Sequence, residues 1–165
     1  GAGARRARRL ELRAAAPVRM SRRDVWKFNL FPAYRGTGGR LVSIADDWSE
    51  VRIKLRLTWR TRNYVGTLFG GSLYGAVDPL YMVMLMHRLG PEYVVWDKSA
   101  SIRFRRPGRG TLYATFRIDD EELEALRAAV AAEGKVDRVY VVELVDAEGI
   151  PHATVEKTIY VARRD

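Results

Sequence analysis

From Val51 to Arg60, apolar side chains alternate without a break against basic and hydroxyl ones: Val51, Ile53, Leu55, Leu57 and Trp59 against Arg52, Lys54, Arg56, Thr58 and Arg60. A period of two held this long predicts one extended strand with a buried face and a wet, basic face. Such a strand belongs to an antiparallel sheet covered on one side only. The cover is the nearly continuous apolar run from Ser72 to Leu89, whose length predicts a buried helix and which Gly90-Pro91 stops. Pro79 lacks an N–H and presses on the carbonyl of Gly75, so this helix is expected to kink at Asp78.

The remaining elements follow from weaker patterns. Val25, Phe28 and Phe31, or Trp26 and Leu30, share a helical stripe between Ser21 and Phe31, with Ser21 or Asp24 as cap and Pro32 as stop. Arg35 to Gly39 reads as a loop, Arg40–Asp46 as a first strand, and Asp46 to Ser49 as a turn. Lys98–Arg106 and Leu112–Ile118 read as strands joined in a hairpin by Pro107-Gly108-Arg109-Gly110. Val136–Val145 and Thr154–Val161 read as a second hairpin turning at Asp146 to Gly149. Between the pairs, Asp119 or Asp120 caps a surface helix whose stripe is Leu123, Leu126 and Val130 and whose stop is Gly134. Clustered strands around one helix too apolar for a surface predict an α+β fold. Its curved antiparallel sheet of about six strands wraps a long central helix, with extra N-terminal and surface helices.

Charge changes the picture only at one end. Residues 1–24 hold eight arginines against Glu11 and Asp24, so six of the nine net positive charges lie there. Residues 1–20 therefore read as a basic, flexible extension, and 21–165 as a single domain. A basic arm is suited to nucleic acid or an acidic membrane, and its composition also matches an organelle transit peptide. The chain contains no recognition-helix motif with basic residues, which ranks nucleic acid last among partners. Hydrophobic residues at 47% and charged residues at 30% exclude a disordered chain. The absence of cysteine excludes disulfide scaffolds, zinc knuckles, iron–sulfur sites and thiol nucleophiles, and is compatible with a cytoplasmic place. With only His87 and His152 present, no histidine-rich metal site is expected and no metal ligand is assigned. His87 suits the end of the apolar helix, and His152 reads as structural. No apolar run approaches the roughly 18 residues of a membrane span.

The candidate chemistry lies between Asn63 and Asp78. Gly70 and Gly71 precede the apolar helix, where backbone N–H groups have no intrahelical partner and stand at the positive end of the dipole. A carbonyl oxygen placed there is polarised, and an oxyanion forming on it is stabilised. The plainer reading is a glycine turn that lets helix and sheet pack. Asp78 is anomalous in an otherwise apolar run and is expected to be buried, either as a hydrogen-bond hub or as a catalytic carboxylate. Arg103, Arg105, Arg106 and Arg109 cluster around one strand end, as a solvated surface or as a phosphate site. Met82 and Met86 share a helix face that reads as core or as the lining of an acyl tunnel. Asp97 and Lys98 are adjacent and are considered as an ion pair near Asp78.

Asn63, Gly70-Gly71 and Asp78 together resemble the motif of hotdog-fold thioesterases of the phenylacetate-degradation type. The strand order and the segment Trp96–Gly108 are similar to theirs, and residues 25–162 resemble an uncharacterised hotdog family described as thioesterases. The resemblance implies an acyl-CoA or acyl-carrier thioester as substrate and a homodimer or homotetramer with sites built from two subunits. It implies no cofactor beyond the coenzyme A of the substrate. Gly70 and Gly71 would polarise the thioester carbonyl, Asp78 would attack it or activate water, and Asn63 would help hold the site. The arginines would receive phosphates. Phe69 stands where many of these enzymes carry histidine; it would close the acyl pocket but carries no proton. That departure keeps open a second reading, a non-catalytic acyl or acyl-CoA binding module.

Overall fold

The computed structural model describes residues 24–164. The basic extension and the possible cap at Ser21 lie outside them. Helix α1 (Asp24–Leu30) is followed at once by α2 (Pro32–Thr37). Pro32 ends one helix, as its sequence position implies, but it also opens the next. A residue without an N–H and with φ already near the helical value suits a first turn. The expected loop at Arg35 is therefore helical up to Thr37 and stops at Gly38, whose φ of +86° closes the turn. Tyr34 on α2 is buried and donates its hydroxyl to the Ala76 carbonyl at 3.0 Å, tying the N-terminal helices to the central one.

Strands β1 (Gly39–Ile44) and β2 (Glu50–Leu55) form the first antiparallel pair. The alternating run is buried at Val51, Ile53 and Leu55 as expected, but the strand ends halfway along it. Both neighbours of β2 run out at Leu55, which pairs with Gly39 on one side and Leu112 on the other. Alternation reports which way side chains point, and a ladder also needs partners. Beyond Leu55 the chain leaves the sheet, and Trp59 is 77% exposed.

The apolar run forms α3 (Gly70–Val77) and α4 (Leu80–Leu89), broken at Asp78-Pro79 where a kink was expected. Leu73, Ala76, Val77, Leu80, Tyr81, Met84, Leu85 and Leu89 are buried in one core with the inner faces of the strands. Strands β3 (Tyr93–Phe104), β4 (Leu112–Arg117), β5 (Lys135–Val145) and β6 (Pro151–Arg163) complete an antiparallel six-stranded sheet in the order β1-β2-β4-β5-β6-β3. The β5–β6 hairpin is as read from the sequence. The hairpin expected across Pro107–Gly110 is not formed: β3 pairs with β6 at the sheet edge, and β4 lies between β2 and β5. Glycine and proline mark a change of direction there without specifying what each strand pairs with.

Helix α5 (Asp120–Glu133) begins and ends as predicted. The Asp119 carboxylate accepts the Glu122 N–H at 2.8 Å, Leu123, Leu126 and Val130 are buried, and Gly134 stops the helix at a φ of +76°. His152 is structural, with one ring nitrogen 3.1 Å from the Pro107 carbonyl and the other 3.0 Å from Asp146 Oδ2. His87 stacks on Trp48 with ring centroids 4.0 Å apart. The cap on α5 is a test of local stability: Asp119→Ala is expected to cost about 1 kcal/mol. It should lower the urea midpoint without changing the slope of the transition.

Candidate active site

The loop leading into α3 is braced by hydroxyl and amide side chains. Thr61 Oγ1 accepts the Thr58 N–H at 2.9 Å and donates to the Arg56 carbonyl at 2.7 Å, while the Thr61 carbonyl accepts the Phe69 N–H at 2.8 Å. Asn63 Oδ1 accepts from the N–H groups of Val65 and Thr67 at 3.1 and 2.9 Å. Its Nδ2 donates to Thr67 Oγ1 at 2.9 Å and to the Leu68 carbonyl at 3.4 Å. The amide of Asn63 is thus engaged in shaping its own loop. Leu68 N–H donates to the Gly108 carbonyl at 2.9 Å, locking this loop to the one after β3.

The first hydrogen bond of α3 runs from Leu73 N–H to the Phe69 carbonyl at 3.0 Å, so the N–H groups of Gly70 and Gly71 stand ahead of the helical ladder. Aromatic rings stand close over both glycines. A Cβ at Gly70 would meet the Phe104 ring at 3.0 Å, and one at Gly71 would meet the Phe69 ring at 2.4 Å. Beside them a cleft of about 380 Å³ is lined by Asn63, Gly70, Leu73, Phe104, Arg105 and Arg106. Arg105 is steadied by a 2.7 Å bond from its Nε to Thr154 Oγ1. Arg103 faces a separate hollow, which it shares with Arg105, Val141 and Glu156. Arg109 is exposed on the loop outside both. Met82 is half-buried against the core, away from the cleft.

Asp78 is not buried as expected; its side chain is 42% exposed. Its Oδ1 accepts the Tyr74 hydroxyl at 2.6 Å and the Lys157 ammonium at 2.5 Å. Its Oδ2 has no hydrogen-bond partner among the described residues. Lys157 Nζ also lies 3.0 Å from Asp97 Oδ1 and 3.3 Å from the Tyr74 hydroxyl, and the lysine side chain is only 1% exposed. The Asp97–Lys98 pair considered from the sequence is absent. Lys98 instead pairs with Asp137 on β5 at 2.5 Å, and a bulge in β3 separates Asp97 from Ser99. Neighbouring residues of a strand point to opposite faces and rarely meet each other.

The charges of this cluster set one another. Burial alone would push the Lys157 ammonium down, but its bonds to Asp78 and Asp97 outweigh burial and hold its pKa above the ordinary lysine value. Burial raises Asp97, with Lys157 pulling the other way, and the net displacement is upward. Burial and then the bond to Asp78 raise Tyr74, which keeps it a hydrogen-bond donor.

Neither Tyr74 nor Lys157 was singled out as a site residue from the sequence, although both left a trace there. In Ala153, Val155, Lys157, Ile159 and Val161, one charge interrupts the buried face of a strand. Tyr74 precedes Asp78 by one helical turn, the spacing at which side chains meet. Along α3, Gly71 and Asp78 are separated by roughly 10 Å of helix rise. A single chain therefore presents its N–H groups and its carboxylate at opposite ends of the same helix. Among the described residues no group of acidic and histidine side chains is arranged to hold a metal ion. No described helix is long and apolar enough to cross a membrane.

A curved antiparallel sheet around a long broken helix is the hotdog fold, and solved structures share it. The chain belongs to the family called domain of unknown function (DUF4442), which matches residues 26–161. It is similar to a Pseudomonas aeruginosa protein of unknown function named a probable thioesterase, with a TM-score of 0.72 at 19% identity over 79% of this chain and 86% of that one. It is similar to a Chlorobaculum tepidum protein of unknown function, with a TM-score of 0.70 at 17% identity over 90% of this chain and 97% of that one. A thioesterase from Haemophilus influenzae has a TM-score of 0.65 at 12% identity over 89% of this chain and 94% of its own. No curated protein matches the sequence.

Replacing Lys157 by methionine leaves the half-buried carboxylate of Asp97 without its counter-charge. We expect a loss of about 1–2 kcal/mol, less than for a fully buried pair because the carboxylates of Asp78 and Asp97 are both partly open to solvent. Because the folded-state pKa of Lys157 is raised, its stabilisation is fully present below the ordinary lysine value of 10.5. It is lost as pH rises through the folded value. Unfolding midpoints measured against pH should therefore fall in the alkaline range in the wild type, and this component should vanish in Lys157→Met.

Proposed function

We propose that this protein is an acyl-CoA thioesterase that works as a homodimer. The observation that carries the reading is the Asp78 carboxylate, with one oxygen held by Tyr74 and Lys157 and the other open. The thioester carbonyl would accept the N–H groups of Gly70 and Gly71, where developing negative charge is stabilised. The free oxygen of Asp78 would attack the carbonyl carbon, or deprotonate a water that does so. The C–S bond then breaks, and the thiolate leaves and takes up a proton; after direct attack, water hydrolyses the mixed anhydride between the acyl group and Asp78 and restores the carboxylate. The net reaction consumes one water and releases one carboxylic acid and one thiol. Lys157 and Tyr74 position the carboxylate and do not touch the substrate.

The distance along α3 is the argument for two subunits, since the carboxylate meeting the carbonyl must come from another copy. Strand β3 offers the place. It is an edge strand of 12 residues whose side chains from Trp96 to Ser101 are all exposed, and its free backbone edge is suited to pairing with a second β3. Phe104 and Phe69 would flank the acyl group, and Arg105 and Arg106 would meet the phosphates of coenzyme A. The cytoplasm is the compartment this reading assigns. Thiol-bearing carrier proteins are an alternative source of the same thioester.

A second reading is favoured by one residue. Phe69, 55% exposed beside the helix start, has no proton to give, which suits an acyl-CoA binding module without turnover. Thiol release from short, medium, long and aryl acyl-CoAs decides between the two. Turnover by the wild type that falls by about a thousandfold or more in Asp78→Asn, with the fold intact by circular dichroism, is the outcome expected. Turnover unchanged in the variant would remove Asp78 from the chemistry. Saturable binding without release would establish the binding module.

A further inference from the structure

A second hollow among the described residues is larger than the cleft beside α3. It lies by β1 and β2, at the opposite end of the strand order from β3, and has a volume of about 700 Å³. Five cationic side chains face it, Arg35, Arg40, Lys54, Arg56 and Arg60, together with Trp59, and no aspartate or glutamate lines it. None of the five has a carboxylate partner among the described residues. Elsewhere the same sheet pairs its arginines readily: Arg52 and Arg117 share Glu50 at 2.7 and 2.8 Å. The hollow thus gathers five cations with no carboxylate among them.

Its placement also runs against strand stability. Arg40 and Lys54 stand directly opposite each other across the β1–β2 pair, an arrangement that destabilises a sheet when the charges are alike. An anion between them removes that repulsion. Trp59, 77% exposed, brings a large aromatic surface to the same wall, and the Arg60 guanidinium lies 4.8 Å from its ring centroid. An exposed indole beside several guanidinium groups is suited to stacking a planar base while arginines take phosphate oxygens in paired hydrogen bonds. The concave shape and the one tryptophan on its wall fit one base; a nucleic-acid strand needs a groove with successive stacking rings.

We propose that this cleft binds a nucleoside polyphosphate, with the base on Trp59 and two or more phosphates among Arg40, Lys54, Arg56 and Arg60. The ligand chemistry is shared by a free nucleotide and by the nucleotide portion of coenzyme A, whose phosphates would in that case lie here and not at Arg105 and Arg106. The inference does not rest on the thioesterase reading and stands without turnover.

Titration calorimetry of the full chain at fixed ionic strength tests it, with ADP, coenzyme A, inorganic pyrophosphate and a series of single-stranded oligonucleotides as probes. ADP is expected to bind more tightly than pyrophosphate. Trp59→Ala should weaken ADP about tenfold while leaving pyrophosphate unchanged. Lys54→Gln and Arg56→Gln should each weaken both by about tenfold, and Lys135→Gln, at an exposed residue away from the hollow, should leave ADP binding as it is. These residues are on the surface, and an unchanged far-ultraviolet circular dichroism spectrum checks that each variant folds. Coenzyme A binding tighter than ADP with the same sensitivity to Trp59 and Arg56 identifies the cofactor's nucleotide as the source; weaker binding identifies a free nucleotide. No saturable ADP binding, equal affinity for pyrophosphate, a loss in Lys135→Gln matching that in Arg56→Gln, or oligonucleotide affinity that climbs with length would each overturn the proposal.

Discussion

The ammonium of Lys157 sits on a face of β6 whose other inward residues are Ala153, Val155, Ile159 and Val161, and three separate parts of the chain converge on it. Removing such a charge from water costs several kcal/mol, so its position is stable only where anions meet it with good geometry. Asp97 comes from β3, Asp78 from the break between α3 and α4, and Tyr74 from the turn before that break. The register of β3 on β6, with its bulge after Asp97, and the interruption at Pro79 both supply this one cation. A continuous helix or a bulge-free strand would redirect one of the two carboxylates. The cluster thereby couples the edge of the sheet to the central helix through charge, where the rest of the core couples them through apolar packing.

The same arrangement divides α3 into two functional ends. At its start, loop bonds from Thr61, Asn63 and Leu68 fix two glycines against aromatic rings, and at its finish a carboxylate is anchored through a single oxygen. The helix is rigid, so these ends keep a set distance. On the thioesterase reading proposed above, a rigid spacer separating donor from carboxylate calls for a second chain to complete the site.

Much of the architecture was legible because it depends on local periodicity. The Ser72–Leu89 segment, its interruption at Asp78-Pro79, the capped α5 helix and the β5–β6 hairpin all follow from patterns within a few residues. The failures have a common cause in non-local pairing. Residues 56–60 alternate correctly yet have no neighbours, and Pro107–Gly110 turns the chain without joining the strands on either side of it. The glycines and Asp78 stood out as a candidate site because each breaks the rule of its surroundings. Lys157 breaks the rule of its strand just as clearly, but its meaning depends on Asp78 and Asp97, 79 and 60 positions away, and only the folded chain brings them together.

The open edge of β3 has a consequence for the chain's life before and after folding. The outer backbone edge of this strand, bonded to β6 only on its other side and with Trp96 and Phe104 standing out from it, forms a template for extended segments nearby. Lys98, Arg103 and the bulge after Asp97 are the features that natural sheets use to discourage indiscriminate addition of strands. Such an edge favours a strand whose shape and charges match over the unmatched segments that would extend the sheet into an aggregate.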